Sequence, residues 1–196
     1  MAYGWQGEHV RLVPLDRDRH FENALLWLND PTVTEWTLIG DLPITRLAEE
    51  EFFNRAMAMS DSDIHFAIET LDGQHIGFSG IDRIDWRHGR GTTGTIIGPP
   101  EFRGRGLGPD AMRVRTRYAF DVLGLRMLVA EVMDGNEASH RALVKAGYRE
   151  VARLPRWFWK RGAYRDRILL VVERQEAGGS RQEIRGKKRD AEGKSD

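Results

Sequence analysis

The sequence predicts an α+β domain with a strand–loop–helix–strand unit at its centre, and three observations lead there. Residues 64–98 take the period of strands between turn signals, which describes a three-strand antiparallel meander. Residues 101–108, Glu-Phe-Arg-Gly-Arg-Gly-Leu-Gly, follow it with glycine at three alternate positions. Ala111, Val114, Tyr118 and Val122 then recur at helical spacing, and residues 127–132 read as an apolar strand of a sheet interior.

The elements follow in order. Residues 10–15 read as a short strand closed by Pro14. A helix over 19–29 carries Phe21, Leu25, Leu26 and Leu28 on its apolar side, with Asp18 as cap and Pro31 as stop. Residues 34–41 are loop-like yet hold Trp36, Glu35 and Asp41. Thr45 caps a second helix with Glu49 or Glu50 in its first turn and Phe52, Phe53, Ala56 and Met57 inward. The meander runs 64–69, 75–84 and 92–98, with an Asp72-Gly73 turn and a second turn over 86–91.

After the glycine loop, a helix over 110–123 starts near Pro109, where proline is tolerated, and ends at Gly124. Asn136 opens another helix, closed by Gly147. Residues 148–154 and 167–172 are the final strands, joined by a loop over 155–162. The expected division is one domain over 1–173 and a charged, disordered tail over 174–196. That tail holds 7 basic and 5 acidic residues and only Ala177, Ile184 and Ala191 as apolar ones.

Composition narrows the function. The 196 residues suffice for one sizeable core, and 30 basic against 30 acidic residues create no global field for nucleic acid or a membrane surface. The absence of cysteine removes disulfide scaffolds, thiolate metal sites and cysteine nucleophiles together. No metal-ligand spacing is present, and no apolar run approaches membrane-spanning length, so a cytoplasmic protein without membrane association is expected.

Gly104, Gly106 and Gly108 leave amides unobstructed where a helix begins, and Arg103 and Arg105 add charge beside them. Such a loop suits a phosphate or pyrophosphate. It lacks the Gly-Lys-Ser/Thr ending of a nucleotide P-loop, and Pro109 together with the antiparallel strand before it removes the dinucleotide fingerprint.

Residues 103–108 resemble the Arg/Gln-x-x-Gly-x-Gly/Ala signature of the GNAT acetyltransferase superfamily. Asn136-Glu137-Ala138-Ser139 followed by Lys145-Ala146-Gly147-Tyr148 looks like that superfamily's Asn-x-x-Ser/Ala…Lys-x-Gly-Phe helix. Residues 10–15 and 162–166 resemble the opening and closing pieces of its RimJ/RimL branch, the N-terminal acetyltransferases of ribosomal proteins. The resemblance implies a GNAT-like mixed, mostly antiparallel sheet of about seven strands with about four flanking helices. It implies a splay between strands 4 and 5, with acetyl-CoA as the cofactor in that gap.

Ile96, Ile97 and Gly98 would then line the pantetheine with Thr95, while Arg103, Gly104, Arg105, Gly106, Leu107 and Gly108 would hold the pyrophosphate. Asn136 matches the position that hydrogen-bonds the cofactor arm, and it also suits a helix N-cap. Ser139 falls where RimL-type enzymes place a proton donor for the thiolate. The glutamate that many relatives carry on the fourth strand is Thr93 here, which leaves Asp82, Asp85 and Glu131 as nearby bases, or a water chain. His75, His88 and His140 have no favoured spacing.

Trp36, Trp86, Trp157 and Trp159 fall in predicted loops, where they suit an acceptor cleft, core packing or a homodimer contact equally. With Glu35 and Asp41 nearby they suggest an amine-bearing acceptor. Acetyl transfer by direct amine attack on the thioester is expected, because no cysteine can form a covalent relay. The acceptor would be a protein N-terminus or a small amine such as a polyamine, aminoglycoside or amino acid. A non-catalytic acyl-CoA sensor on the same fold is the alternative.

Overall fold

The computed structural model describes residues 5–58 and 60–175, and in these residues one eight-stranded sheet carries five α-helices. The strands are β1 (Trp5–Gln6), β2 (Val10–Pro14), β3 (Ile64–Thr70), β4 (His75–Asp85), β5 (Arg90–Ile97), β6 (Met127–Met133), β7 (Arg149–Lys160) and β8 (Ala163–Glu173). The helices are α1 (Arg17–Leu28), α2 (Pro31–Thr34), α3 (Arg46–Met57), α4 (Leu107–Asp121) and α5 (Glu137–Lys145), with a 3-10 turn at Pro100–Phe102. The expected tail falls almost wholly outside the described residues. No helix among them is long and apolar enough to cross a membrane.

Sheet order is β1-β2-β3-β4-β5-β6-β8-β7, antiparallel throughout except for β5 against β6. That one parallel ladder is short, running from Arg90↔Met127 to Thr93↔Ala130. Beyond Thr93 the two strands part, so residues 94–97 keep β4 on one side and have no ladder partner on the other. The gap is the predicted splay. It lies between the fifth and sixth strands because the two-residue β1 adds one strand to the expected count.

The two faces of the sheet are covered differently. Ala111, Val114 and Ala119 of α4 join Leu12, Ile68, Ile81, Leu128 and Leu170 in the main core. On the other face, Phe21 and Ala24 of α1 and Phe53 of α3 pack with Phe78 in a smaller cluster. Strand alternation divides β4 and β5 accordingly: Ser79 and Thr95 face α4, while Phe78, Gly80 and Gly94 face α1 and α3.

Several boundaries depart from the sequence expectation. Asp16, not Asp18, caps α1 by accepting from the Arg19 amide at 3.0 Å. Pro31 opens α2 after stopping α1, since proline at a first helical turn forfeits no bond. In α3 only Phe53 among the four expected inward residues is fully buried; Phe52 and Met57 are 38% and 46% exposed. The place they vacate is taken by Glu49. Left-handed Gly106 starts α4 at Leu107, three residues early, with Pro109 inside its first turn.

The largest departure is residues 155–162. They continue β7 to a two-residue turn at Arg161 and Gly162, and they pair with β8 apart from a skip between Leu154 and Phe158. Pro155 lies in that skip on the edge strand, the two settings in which a sheet accepts proline. Trp157 and Trp159 are therefore strand residues.

Candidate active site

The site begins where β5 leaves β6. Arg115 of α4, only 1% exposed, reaches that point from the core. Its Nη1 donates to the Gly94 carbonyl at 2.7 Å, to Thr95 Oγ1 at 2.7 Å and to Ser79 Oγ at 3.1 Å. Its Nη2 donates to the Tyr148 hydroxyl at 3.3 Å. All four acceptors are neutral, so the charge persists under the split while its hydrogen bonds offset much of the desolvation cost. The Thr93 hydroxyl donates to the Val129 carbonyl at 3.2 Å across the last rungs before the gap.

The glycine loop forms one bank. Gly104 and Gly106 hold φ of +73° and +85°, which a Cβ would strain, and an ideal Cβ on either meets nothing within 4 Å. The backbone at these positions therefore faces open space, as a pyrophosphate cradle at the start of α4 requires. Asp110 is buried and faces away, accepting from the His9 and Val10 amides at 2.8 and 3.2 Å. Burial opposes its charge, yet those amides and Arg113 hold the carboxyl below the usual range.

Arg103, expected beside the phosphate, is exposed and also braces the backbone. Its guanidinium donates to the Ile97, Gly98 and Thr32 carbonyls at 3.2, 2.7 and 3.2 Å, bracing the end of β5 against α2. Arg105 lies over the Phe102 ring at 5.6 Å.

The opposite bank is the turn from β6 into α5. Asn136 caps α5 by accepting from the Ser139 amide at 3.1 Å, and the Ser139 side chain is half-buried beside it. Trp36 packs on this turn so tightly that a Cβ on Gly135 would lie 2.8 Å from its ring, and Arg165 stacks on it at 5.2 Å. Glu35 is exposed next to it.

Of the remaining expected residues, Glu131 is the first on β6 past the last rung with β5 and so stands at the gap. Glu131 pairs with Arg167 and with Arg83 at 3.4 Å, and Arg167 stacks on Trp157 at 5.2 Å. Asp85 sits at the far end of the β4–β5 hairpin, on the Arg90 rung. It accepts from the His88 amide at 3.0 Å and pairs with Arg90 at 3.3 Å, and these contacts hold its carboxyl below the usual range. Four residues of strand, roughly 13 Å, separate that rung from Gly94. Trp86 shares this end and donates to the Asp61 carbonyl at 2.5 Å. Both leave the site.

A cavity of about 170 Å³ lies on the acceptor side, between α1, α3 and the strands leading to the gap. Glu49 and Asp82 both line it, and burial pushes both carboxyls up. Asp82 faces His65 at 3.7 Å. Arg115 and Glu49 were unrecognised in the sequence. The signal for Arg115 was present, since it stands four residues after Ala111 and three before Tyr118, on the apolar stripe of α4.

A strand edge left open beside a glycine cradle defines a protein built to take an extended, phosphate-bearing ligand into a split sheet. The chain belongs to the GNAT acetyltransferase family: the Acetyltransferase (GNAT) domain matches residues 9–149. Enzymes of this family draw the acetyl group from acetyl-CoA, and the open β5 edge and glycine cradle fit that cofactor. The spermidine N(1)-acetyltransferase of Escherichia coli K12 is 31% identical over 111 residues, 57% of this chain and 59% of that protein. Among solved structures, the Vibrio cholerae spermidine N-acetyltransferase in complex with CoA and spermine has a TM-score of 0.76 at 20% identity, covering 84% of this chain and 95% of that one. Mycobacterium smegmatis RimJ in complex with CoA-disulfide has a TM-score of 0.73 at 22% identity, covering 84% and 81%. At these identities the two structures establish the fold.

Proposed function

We propose that this chain is an N-acetyltransferase on a RimJ/RimL-type framework that acetylates a primary amine, that of a protein N-terminus or of a small molecule. The observation that carries the reading is the abrupt end of the β5–β6 ladder at Thr93 and Ala130, opposite a helix start whose glycines face open space. Acetyl-CoA, when bound, supplies an acetyl thioester open to direct attack by the amine. Backbone groups of residues 94–98 line its arm, and the amides of residues 104–108, without that of Pro109, take its pyrophosphate. Asn136 orients the start of α5, and Ser139 holds a proton at Oγ on the bank where the thiol departs. Arg115 fixes the β5 edge and keeps positive charge beneath it. Trp36 and Glu35 border the acceptor side.

The test is thiol release from acetyl-CoA across an amine panel holding spermidine, monoamines and a peptide with a free N-terminus. Release with at least one amine is expected; no release with any of them overturns the reading. Ser139→Ala should lower turnover at saturating substrate by about 10²-fold, the lower range for a lost general acid. Unchanged turnover removes Ser139 from the mechanism.

A further inference from the structure

We propose that the cavity between α1, α3 and the β3–β5 face is the acceptor subsite for a primary monoamine with a compact apolar body, and that Glu49 is the counter-ion of its ammonium. The inference rests on the acetyl-transfer reading and gives it an acceptor class.

The floor of the cavity is bare at Gly94, while at Gly80 the His65 ring stands 3.1 Å from where a Cβ would lie. Gly80 and Gly94 are paired on adjacent strands, and His65 pairs with Gly80 from β3. Gly94 is also the first β5 residue past the last rung with β6, so the floor runs to the edge of the gap. Phe52 and Phe53 of α3 and Leu28 of α1 line the helical side. The volume, about 170 Å³, is close to the ~150 Å³ apolar cavity that admits benzene. It is well below the ~300–1,000 Å³ of pockets for larger ligands.

Glu49 supplies the charge. It is 3% exposed, it lines the cavity, and its Oε1 has no hydrogen-bond partner among the described residues. An unpaired carboxylate among phenylalanines is costly, and an ammonium seated there would offset that cost. Asp82 is buried too, and burial pushes its carboxyl up, but His65 lies 3.7 Å away and Arg83 and Arg115 oppose that shift, whereas burial alone acts on Glu49. Of the two lining carboxylates, Glu49 is the one with a buried oxygen that has no hydrogen-bond partner among the described residues. A polyamine placed in the cavity would have to seat a second ammonium at Asp82, beside His65.

The experiment is calorimetric titration of the full chain, without acetyl-CoA, using benzylamine, isopentylamine, benzyl alcohol and spermidine as probes, followed by thiol-release kinetics. Benzylamine and isopentylamine should bind, benzyl alcohol and spermidine should bind at least about tenfold more weakly, and kcat/KM should rank the amines alike. Glu49→Gln should weaken benzylamine by about tenfold to a hundredfold and leave acetyl-CoA binding unchanged. Gly94→Val is an independent variant: a Cβ there meets nothing within 4 Å, so the side chain starts into open cavity space. It should abolish benzylamine binding. Benzylamine affinity indifferent to both variants, or a preference for spermidine or a peptide N-terminus, overturns the subsite while acetyl transfer stands. Failure of every amine to bind and to release thiol overturns both.

Discussion

Acidification should destabilise the chain through His75, by an amount the structure sets. Its Nε2 contacts the Gly77 carbonyl at 3.0 Å and its Nδ1 lies 3.0 Å from Asn23 Nδ2, a pattern that suits a neutral ring donating at Nε2 and accepting at Nδ1. Trp27, Phe78 and His20 surround it, with centroids 4.8, 4.8 and 4.5 Å away. Burial, then the neighbouring His20, lower its pKa from 6.5 to about 4. The unfolded chain therefore takes up a proton that the native state refuses. Stability from this ring is full above pH ~6.5 and drains as the pH falls toward 4. A gap of about 2.5 units at ~1.36 kcal/mol each amounts to about 3 kcal/mol in all, of which about 2 kcal/mol is gone by pH 5. Urea midpoints measured from pH 8 to 4 test this on the native chain and on His75→Phe, which keeps the ring contacts and cannot titrate. The variant should start less stable and lose less between pH 7.5 and 5. Parallel curves would refute the reasoning.

Other perturbations follow from the same contacts. A Cβ on Gly98 would strike the Trp27 ring, so Gly98→Ala should cost about 1–3 kcal/mol by thermal melting and raise KM for acetyl-CoA. Arg115→Met frees the Gly94 carbonyl and three hydroxyls; a loss of about 2–4 kcal/mol in urea unfolding is expected, with a larger fall in kcat/KM than melting alone explains. Glu49→Gln should raise the melting temperature at pH 7. Burial holds the native carboxyl above its unfolded value, so the wild type loses stability as pH rises, and the gap between the two proteins should close toward pH 4.

The sequence was most readable where backbone geometry decides. Asn136 and Thr45 mark element starts through local caps, so their positions survive into the structure, whereas left-handed Gly106 opens α4 ahead of Pro109. Reading faltered where tertiary context decides. Pro155 signals a break, and only the edge position of β7 turns that break into a skip within a strand. Glu49 fits the first-turn acid pattern behind Thr45, and the same pattern serves a solvated carboxylate or one buried at a cavity wall. Asp85 was near the gap in sequence, yet it lies at the other end of the hairpin, because a strand reverses distance as it reverses direction. Phe52 and Met57 have the right spacing for the core, but α3 packs through a narrow face that Phe53 and Glu49 fill.

The Arg103 brace has a consequence for the order of events. One guanidinium ties the last carbonyls of β5 to α2, and two residues past α2 stands Trp36, resting on the turn before Asn136. The donor bank, the short helix and the tryptophan over the opposite bank thus form a single lever across the cleft. A shift carried along this path would act equally in both directions. Double-reciprocal initial-rate plots should therefore intersect off the abscissa, with each substrate changing the apparent affinity of its partner, and Arg103→Gln should move the intersection toward the abscissa.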